Sequence, residues 1–395
     1  MKKILIIGAG FLQSFVIRKA KSMGYETLAV DGDPNAPGFQ YADKTATIDI
    51  VDEKACLEFA RREKVDGALT AATDYGVLTA AYVAREMGTP GLDYEAAKLV
   101  KNKYRVRKCL YEARVDDTEQ AYEFGERDDV DALCKKLVFP VMVKPCDGSG
   151  SRGASRVDEP AGLPEALRLA TAGSITRRAE IESFIVGREY GAETLVANGE
   201  VRVLAIMRKW MTEPPYYAEL GHAIPTDLPP EVEKRAARCV ENAVKALGIN
   251  FGSVNMDMLV TSEGKIHIVD VGARMGGNMI GPCVIPYGTG VDYMGAMIRN
   301  AVGDELDWTP RESGAVATRL LAFDFDGVVK RLPDFAALEK EFGVEIYSCL
   351  EIGREIKRYK TNLDGRGYVV ARAENVETAV KNADAALEAI KIGLK

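Results

Sequence analysis

The chain opens with a short continuous apolar run, Ile4 to Ile7, which ends in Gly8-Ala9-Gly10. Residues 11–23 then carry apolar positions at helical spacing, and Thr27 to Val30 form a second short apolar run ending at Asp31-Gly32-Asp33-Pro34. Strand, helix and strand in close succession predict a βαβ unit and hence a parallel sheet. The pattern recurs: a strand over 45–50, a helix over 53–63, a strand over 67–70 and a helix over 76–87. Residues 1–95 therefore predict a small doubly wound α/β domain. The opening run is too short for a membrane span and is soon followed by Arg18, Lys19 and Lys21, so Lys3 to Ala9 read as a buried first strand.

Beyond residue 95 the rhythm changes. Residues 95–113 are helical in pattern and rich in Lys and Arg, and 115–135 are acidic and polar. Val138 to Lys144 form a strong apolar strand, a Gly/Ser loop follows over 147–153, and Ala154 to Val157 look like a returning strand. This predicts a β-hairpin lid. Strands are expected at 179–185 and 189–196, with 201–207 as a hairpin neighbour across Asn198-Gly199. An amphipathic helix covers 231–247, and a second hairpin joins 254–260 to 265–271 around Ser262-Glu263-Gly264. The tail mixes strands at 315–323 and 367–372 with a final helix at 376–390. The expected divisions are 1–95; 96–185 with the lid at 137–185; 186–310; and a C-terminal α/β subdomain at 311–395.

Composition narrows the chemistry. At 395 residues the chain exceeds what one core supports. A net charge of −7 without a clustered basic surface argues against a nucleic-acid partner. No run approaches the roughly 20 apolar residues of a membrane helix. Seven scattered cysteines with no C-x-x-C pair read as reduced thiols of a cytoplasmic protein. Only His222 and His267 are present, which excludes a histidine-rich zinc site.

Several constellations stand out. Gly8-x-Gly10 follows a strand, but a dinucleotide fingerprint needs a third glycine where Gln13 stands, so a structural turn is favoured although Asp31 sits where a ribose-binding acid would. Lys144 closes a buried strand and is followed at once by a loop containing Gly148, Ser149, Gly150, Ser151 and Gly153. The backbone N–H groups of such a loop can fold over phosphates, and a strand-end lysine can reach a phosphate oxygen. Glu182, Phe184, Ile185, Gly187 and Glu189 make a plausible hinge, with backbone groups for a base and an acid for ribose hydroxyls. Asp257 and Asp270 sit inside apolar strands of one hairpin; burying two carboxylates there argues for a shared cation, and Mg²⁺ favours one or two carboxylates plus phosphate oxygens. Arg274 follows the second acid closely, either as its partner or as a ligand for a substrate carboxylate or a transferred phosphoryl group. The turn at Gly276-Gly277 lets backbone N–H groups approach a ligand closely. His222 lies between Gly221 and Pro225, in what looks like a shaped loop, whereas His267 faces away from Asp270 by strand alternation.

The order of these features resembles the ATP-grasp superfamily over essentially the whole chain. The series is a small α/β domain, Asn102-Lys103 opening a basic helix, Lys144, the Gly/Ser loop, an E-x-x-x-x-G-x-E hinge, two acids on a hairpin, then an arginine with glycines. The resemblance implies an ATP-grasp fold of α+β lobes behind an N-terminal doubly wound pre-ATP-grasp domain. It implies that Lys103 and Lys144 contact the α/β-phosphates of ATP and that the 148–153 loop covers them. Glu182, the Phe184–Ile185 backbone and Glu189 would hold adenosine, Asp257 and Asp270 would carry Mg²⁺, with Mn²⁺ as an alternative, and Arg274 would steady the acyl phosphate. The stretches GARMGGNMIGP (272–282), IPYGTGVDY (285–293), ELGHAIP (219–225) and GRGYVVARAENVETA (365–379) are similar to L-amino-acid ligases and to short proteins related to carbamoyl-phosphate synthase large subunits. In that group the His222 loop lies over the reacting phosphate.

Two departures mark this chain. The usual E-x-N metal motif is here Asp270-Val271-Gly272, so Asn278 is a candidate for the missing amide. Asn278 also stands where such ligases often have Asp after the glycine pair, which places it with Arg274, Gly276 and Gly277 on the substrate side. The resemblance implies an ATP-dependent carboxylate–amine ligase acting on small molecules, with an enzyme of purine or carbamoyl-phosphate-type metabolism as the alternative, and a homodimer as one assembly open to it. A binding protein without catalysis and an NAD(P)-dependent oxidoreductase are the rivals from other classes.

Overall fold

The computed structural model describes residues 1–150 and 152–394. Ser151, part of the expected phosphate loop, lies outside the described residues. The N-terminal sheet is parallel, in the order Lys44–Thr47, Glu26–Asp31, Lys3–Ile7, Gly67–Thr70. Its central strand is continuous in apolar residues because both faces are covered: Ile4 to Ile7 are wholly buried. The outer strand is shorter than its apolar pattern suggests and ends at Thr47.

The expected helix over 95–113 is two helices, Tyr94–Val100 and Lys103–Glu112. The break has a local cause. Asn102 takes an extended conformation, and its side chain accepts from the Arg105 N–H, the signature of an N-cap. Lys103 thereby starts a helix, and its own backbone N–H donates to the Cys146 carbonyl at 2.8 Å. The lid follows as an antiparallel sheet in the order Ala121–Gly125, Arg178–Ser183, Val141–Pro145, Ser155–Val157.

A single antiparallel sheet of eight strands carries the rest, apart from a two-stranded pairing of Gly327–Val328 with Glu355–Ile356. Its order is Ile266–Gly272, Gly252–Val260, Arg188–Ala197, Glu200–Met211, Glu219–Ile224, Ala315–Leu320, Gly367–Ala373, Val344–Ser348. Asn198 and Gly199 both take positive φ, 53° and 78°, as a tight two-residue hairpin turn demands. The Pro230–Ala246 helix buries Ala236, Val240, Ala243 and Val244 against the first strands. The Val376–Leu394 helix packs Ala379, Ala383, Ala386 and Ile390 against the last ones. The strands after residue 311 thus extend the sheet begun at residue 188. No helix among the described residues is long and apolar enough to cross a membrane.

Candidate active site

Two sheets face each other across a cleft, and the charged residues singled out in the sequence line it. On the lid side Lys144 is paired in register with Glu180, and Glu182 sits two residues further along the same strand face. The Lys144 Nζ is buried and donates to Glu182 Oε1 at 2.6 Å and to the Val269 carbonyl, on the large sheet, at 3.0 Å. Arg107 donates to the other Glu182 oxygen at 2.7 Å and to Asp116 at 2.8 Å. From the capped helix, Lys103 Nζ pairs with Asp270. Lys103, Lys144, Glu182 and Asp270, far apart in sequence, therefore meet in one cleft. Asp270 is held down at about 2, for although burial raises it, Lys103 and Lys144 more than compensate. Both oxygens of the buried Glu180 lack a hydrogen-bond partner, and burial pushes this carboxyl above its ordinary range.

The lid hairpin turns through the Gly/Ser loop. Gly150 and Gly153 need their glycines for positive φ, 67° and 72°. A Cβ on Gly148 would stand 2.9 Å from Pro145. Arg152 Nε donates to the Ser149 carbonyl at 3.1 Å, and its NH2 donates to the Tyr75 hydroxyl at 2.6 Å, which ties the loop to the N-terminal domain. At the hinge, Phe184 is under the guanidinium of Arg156, 4.4 Å from its ring centre. Its backbone N–H donates to the Pro140 carbonyl at 3.1 Å. Ile185 is the neighbouring, half-buried hinge residue.

A second cluster lies on the large sheet, and its centre is a residue that sequence reasoning missed. Lys209 Nζ is fully buried and makes three contacts of 2.7 Å, to Glu189, Glu219 and Asp257. These acids come from three different strands. Gly191, between them, leaves the space through which the lysine crosses: a Cβ there would stand 3.2 Å from Met207 and 3.6 Å from Lys209. One ammonium serves three carboxylates. Asp257 is consequently pushed up to about 7, by burial first and then by Glu219 and Glu189, against the pull of Lys209. Asp257 also faces Asp270 directly across the hairpin. Surplus negative charge on hard oxygen donors fits a divalent cation such as Mg²⁺.

Asn278, expected to replace a missing metal-binding amide, is buried at φ 49° and donates from its amide to Glu219. His222 is corrected: it sits in the Glu219–Ile224 strand, opposite Lys209, and not in a loop. Gly221 beside it is required by strand packing, since a Cβ would fall 2.0 Å from the Thr318 carbonyl. Burial lowers the imidazole to about 4, so it is neutral at physiological pH, and its Nδ1 has no hydrogen-bond partner.

Arg274 does not pair with Asp270. Its Nε and NH2 bind the two oxygens of Asp74 in the N-terminal domain, at 3.0 and 3.1 Å, and its NH1 donates to Asn255 Oδ1 at 3.2 Å. This explains Gly272. A Cβ at that position would stand 2.9 Å from both the Arg274 guanidinium carbon and an Asp74 oxygen, so the place of an Asn side chain is taken by the ion pair. The glycine turn is fixed by Glu193, a buried carboxylate that accepts from the Gly276 N–H and from Asn255 Nδ2, both at 2.9 Å, and from the Tyr293 hydroxyl. A Cβ on Gly276 would approach Glu193 to 2.8 Å, whereas Gly277 meets only Leu12, at 3.6 Å. In the N-terminal domain, Asp31 accepts from the Ala9 N–H at 2.7 Å and Gln13 donates to the Ala71 carbonyl, so both serve the fold of the Gly8–Gly10 turn.

Comparison with known proteins agrees with this architecture. Residues 1–70 match the ribonucleotide synthetase preATP-grasp domain, 137–282 the ATP-grasp domain, and 319–395 the L-amino acid ligase C-terminal domain 2. Among curated relatives, an uncharacterised protein of Sinorhizobium fredii is 27% identical over 88% of this chain and 73% of its own length. The formate-dependent phosphoribosylglycinamide formyltransferase of Ignicoccus hospitalis is 26% identical over 69% of each chain. Among solved structures, the L-amino acid ligase from Bacillus licheniformis superposes with a TM-score of 0.84 at 23% identity, covering 99% of this chain and 98% of that one. The phosphoribosylglycinamide synthetase from Anaerococcus prevotii gives 0.76 at 23% identity, with 98% of each chain covered. At that identity the structural likeness speaks for the fold alone. The chain thus carries a preATP-grasp domain, an ATP-grasp domain and an L-amino acid ligase C-terminal domain in succession.

Proposed function

We propose that the protein joins a small carboxylate to an amine with Mg-ATP, through an acyl phosphate. The observation that carries this reading is the meeting of Lys103, Lys144, Glu182 and Asp270 in one cleft, beside three carboxylates that share the single ammonium of Lys209. In this reading Lys103 and Lys144 hold the phosphates, and the loop with Gly148, Ser149, Gly150 and Gly153 folds over them. Ile185 and Glu182 flank the base, and Glu189 lies toward the ribose. Asp257 and Asp270, with Glu219 as a further carboxylate, would hold Mg²⁺ or Mn²⁺, whose positive charge offsets that of the phosphates when bound. Lys103 is then free to leave Asp270 for a phosphate oxygen.

The chemistry asks for positioning and charge neutralisation, with no nucleophilic side chain. A carboxylate oxygen attacks the γ-phosphorus, and ADP leaves. The amine nitrogen attacks the acyl carbon, phosphate leaves and the nitrogen gives up a proton. Arg274, the Gly276-Gly277 turn and Asn278 line the substrate side. Arg274 is preset there by Asp74 and Asn255, with NH1 on the Asn255 side. His222, neutral beside Lys209 and Glu219, adds no charge to the phosphate site.

Amino acids are the substrates favoured here, because the C-terminal module is of the L-amino acid ligase type. The seven cysteines, all free, suit a cytoplasmic enzyme. The test is ADP release measured over pairs of amino acids, with glycinamide ribonucleotide plus formate as the purine-type alternative. Release that requires an amino-acid pair supports the reading; release only with the ribonucleotide would replace it.

A further inference from the structure

A cavity of about 260 Å³ lies where the N-terminal domain meets the C-terminal strands. Phe11, Leu12 and Gln13, at the start of the first helix, form one wall, and Leu320, Asn362 and Tyr368 form the facing one. The Phe11 and Tyr368 rings lie nearly parallel, 18° apart with centres 6.3 Å from each other. The volume is below the roughly 300–1,000 Å³ of pockets for drug-sized ligands, so an amino-acid-sized group is the right scale.

Three relationships connect the cavity to the ligase site. Leu12 is the neighbour, at 3.6 Å, of the space in front of Gly277. Asn362 lies 3.7 Å from the corresponding position on Gly150, in the Gly/Ser loop. The Tyr359 hydroxyl bonds both the Asn362 side chain, at 3.0 Å, and the Glu219 carbonyl. The cavity therefore opens beside the glycine turn and beneath the phosphate loop.

Its lining holds no lysine, arginine, aspartate or glutamate among the described residues. A phosphate ester or a free carboxylate placed there would find no counter-charge in the lining. An apolar side chain gains from contact with Phe11, Leu12, Leu320 and Tyr368, while Gln13 and Asn362 lie beside them as uncharged polar groups. The carboxylate substrate needs the cation at Arg274, so this neutral chamber is left for the other reactant.

We propose that the cavity receives the uncharged, apolar side chain of the amine substrate, and that Leu12 and Tyr368 set the size it accepts. The proposal rests on the ligase reading above. The test holds the carboxylate substrate constant and measures KM for glycine, L-leucine, L-phenylalanine and O-phospho-L-serine as amines, by ADP release. Leu12→Trp fills the chamber and should raise KM for leucine and phenylalanine at least tenfold, while KM for ATP changes less than twofold. Leu12→Ala enlarges it and should move preference toward phenylalanine; this variant carries the test if the tryptophan does not fold. An unchanged order of amines in a folded variant, or a preference of the wild type for phosphoserine, overturns the proposal alone. No ADP release from the wild type with any amino-acid pair removes the ligase reading and the proposal together.

Discussion

Arg274 and Asp74 meet through two parallel contacts, Nε to Oδ1 at 3.0 Å and NH2 to Oδ2 at 3.1 Å, and so join the glycine turn to the N-terminal domain. A guanidinium fork makes such a pair and an ammonium does not. Arg274→Lys is therefore expected to lower Tm as well as ADP formation. Removing either partner should cost about 2–4 kcal/mol, since the other is left partly buried. A double-mutant cycle with Arg274→Ala and Asp74→Ala, read by urea denaturation, should give a coupling energy of about 0.5–3 kcal/mol. Strict additivity would show that the pair contributes nothing.

Lys209 is the sole close cation for Glu189, Glu219 and Asp257 among the described contacts. Lys209→Met should destabilise the protein by about 3–5 kcal/mol at pH 7, because it strands buried carboxylates. Asp257→Asn removes surplus charge instead, so Tm without Mg²⁺ should hold or rise while ADP release loses its response to Mg²⁺. A normal Mg²⁺ titration in Asp257→Asn would take this residue out of the cation site.

Glu193→Gln tests how the glycine turn is aimed. Glutamine can still accept from Gly276 and Tyr293 on one atom, but it presents a donor to Asn255 Nδ2. Asn255 must then turn over, and its amide would face the Arg274 NH1 that its oxygen now receives. The expected result is a fall in kcat of about a hundredfold, the scale of a small misplacement, with KM for ATP little changed. Unaltered kcat would mean that the turn holds its place without this network.

His222 predicts a pH signature. Burial holds its folded-state value at about 4, below the ordinary 6.5. The unfolded chain thus takes up a proton first as the solution is acidified. The stability linked to this group is fully present above pH 6.5 and is lost as pH falls toward 4. Measured against His222→Gln, the wild-type advantage in Tm should shrink over that window and stay constant from pH 6.5 to 8. A difference that does not vary between pH 4 and 6.5 would contradict the buried neutral imidazole.

What could be read in the sequence was what is local. Lys144 closing an apolar strand before a Gly/Ser loop declares itself within ten residues, and so do two acids on one hairpin. Lys209 does not, because its meaning depends on the register of strands that bring Glu189, Glu219 and Asp257 to it. In the sequence it is one lysine in a strand with an arginine beside it. Gly272 looked like the loss of a metal ligand, and only Asp74, about two hundred residues earlier, shows what fills that space. His222 was misplaced in a loop because Gly221 and Pro225 suggest a turn, whereas that glycine is there for close packing against the Thr318 carbonyl. Glu193, deep in an apolar strand, gave the same signal as Asp257 and Asp270 but had no neighbour in sequence to suggest its partners.

The eight-stranded sheet also bears on how this protein could be recombined with its relatives. Ala223 and Ile224 are bonded to Ala317 and Val316, so a chimera joined near residue 310 must reproduce that register between strands of different parentage. A one-residue slip would exchange the buried and outward faces of the grafted strands. Deleting the segment would leave Glu219–Ile224, which carries His222, as a raw sheet edge open to pairing with another molecule. Exchange of substrate preference between such enzymes is therefore better attempted by replacing wall residues one at a time than by swapping the terminal module whole.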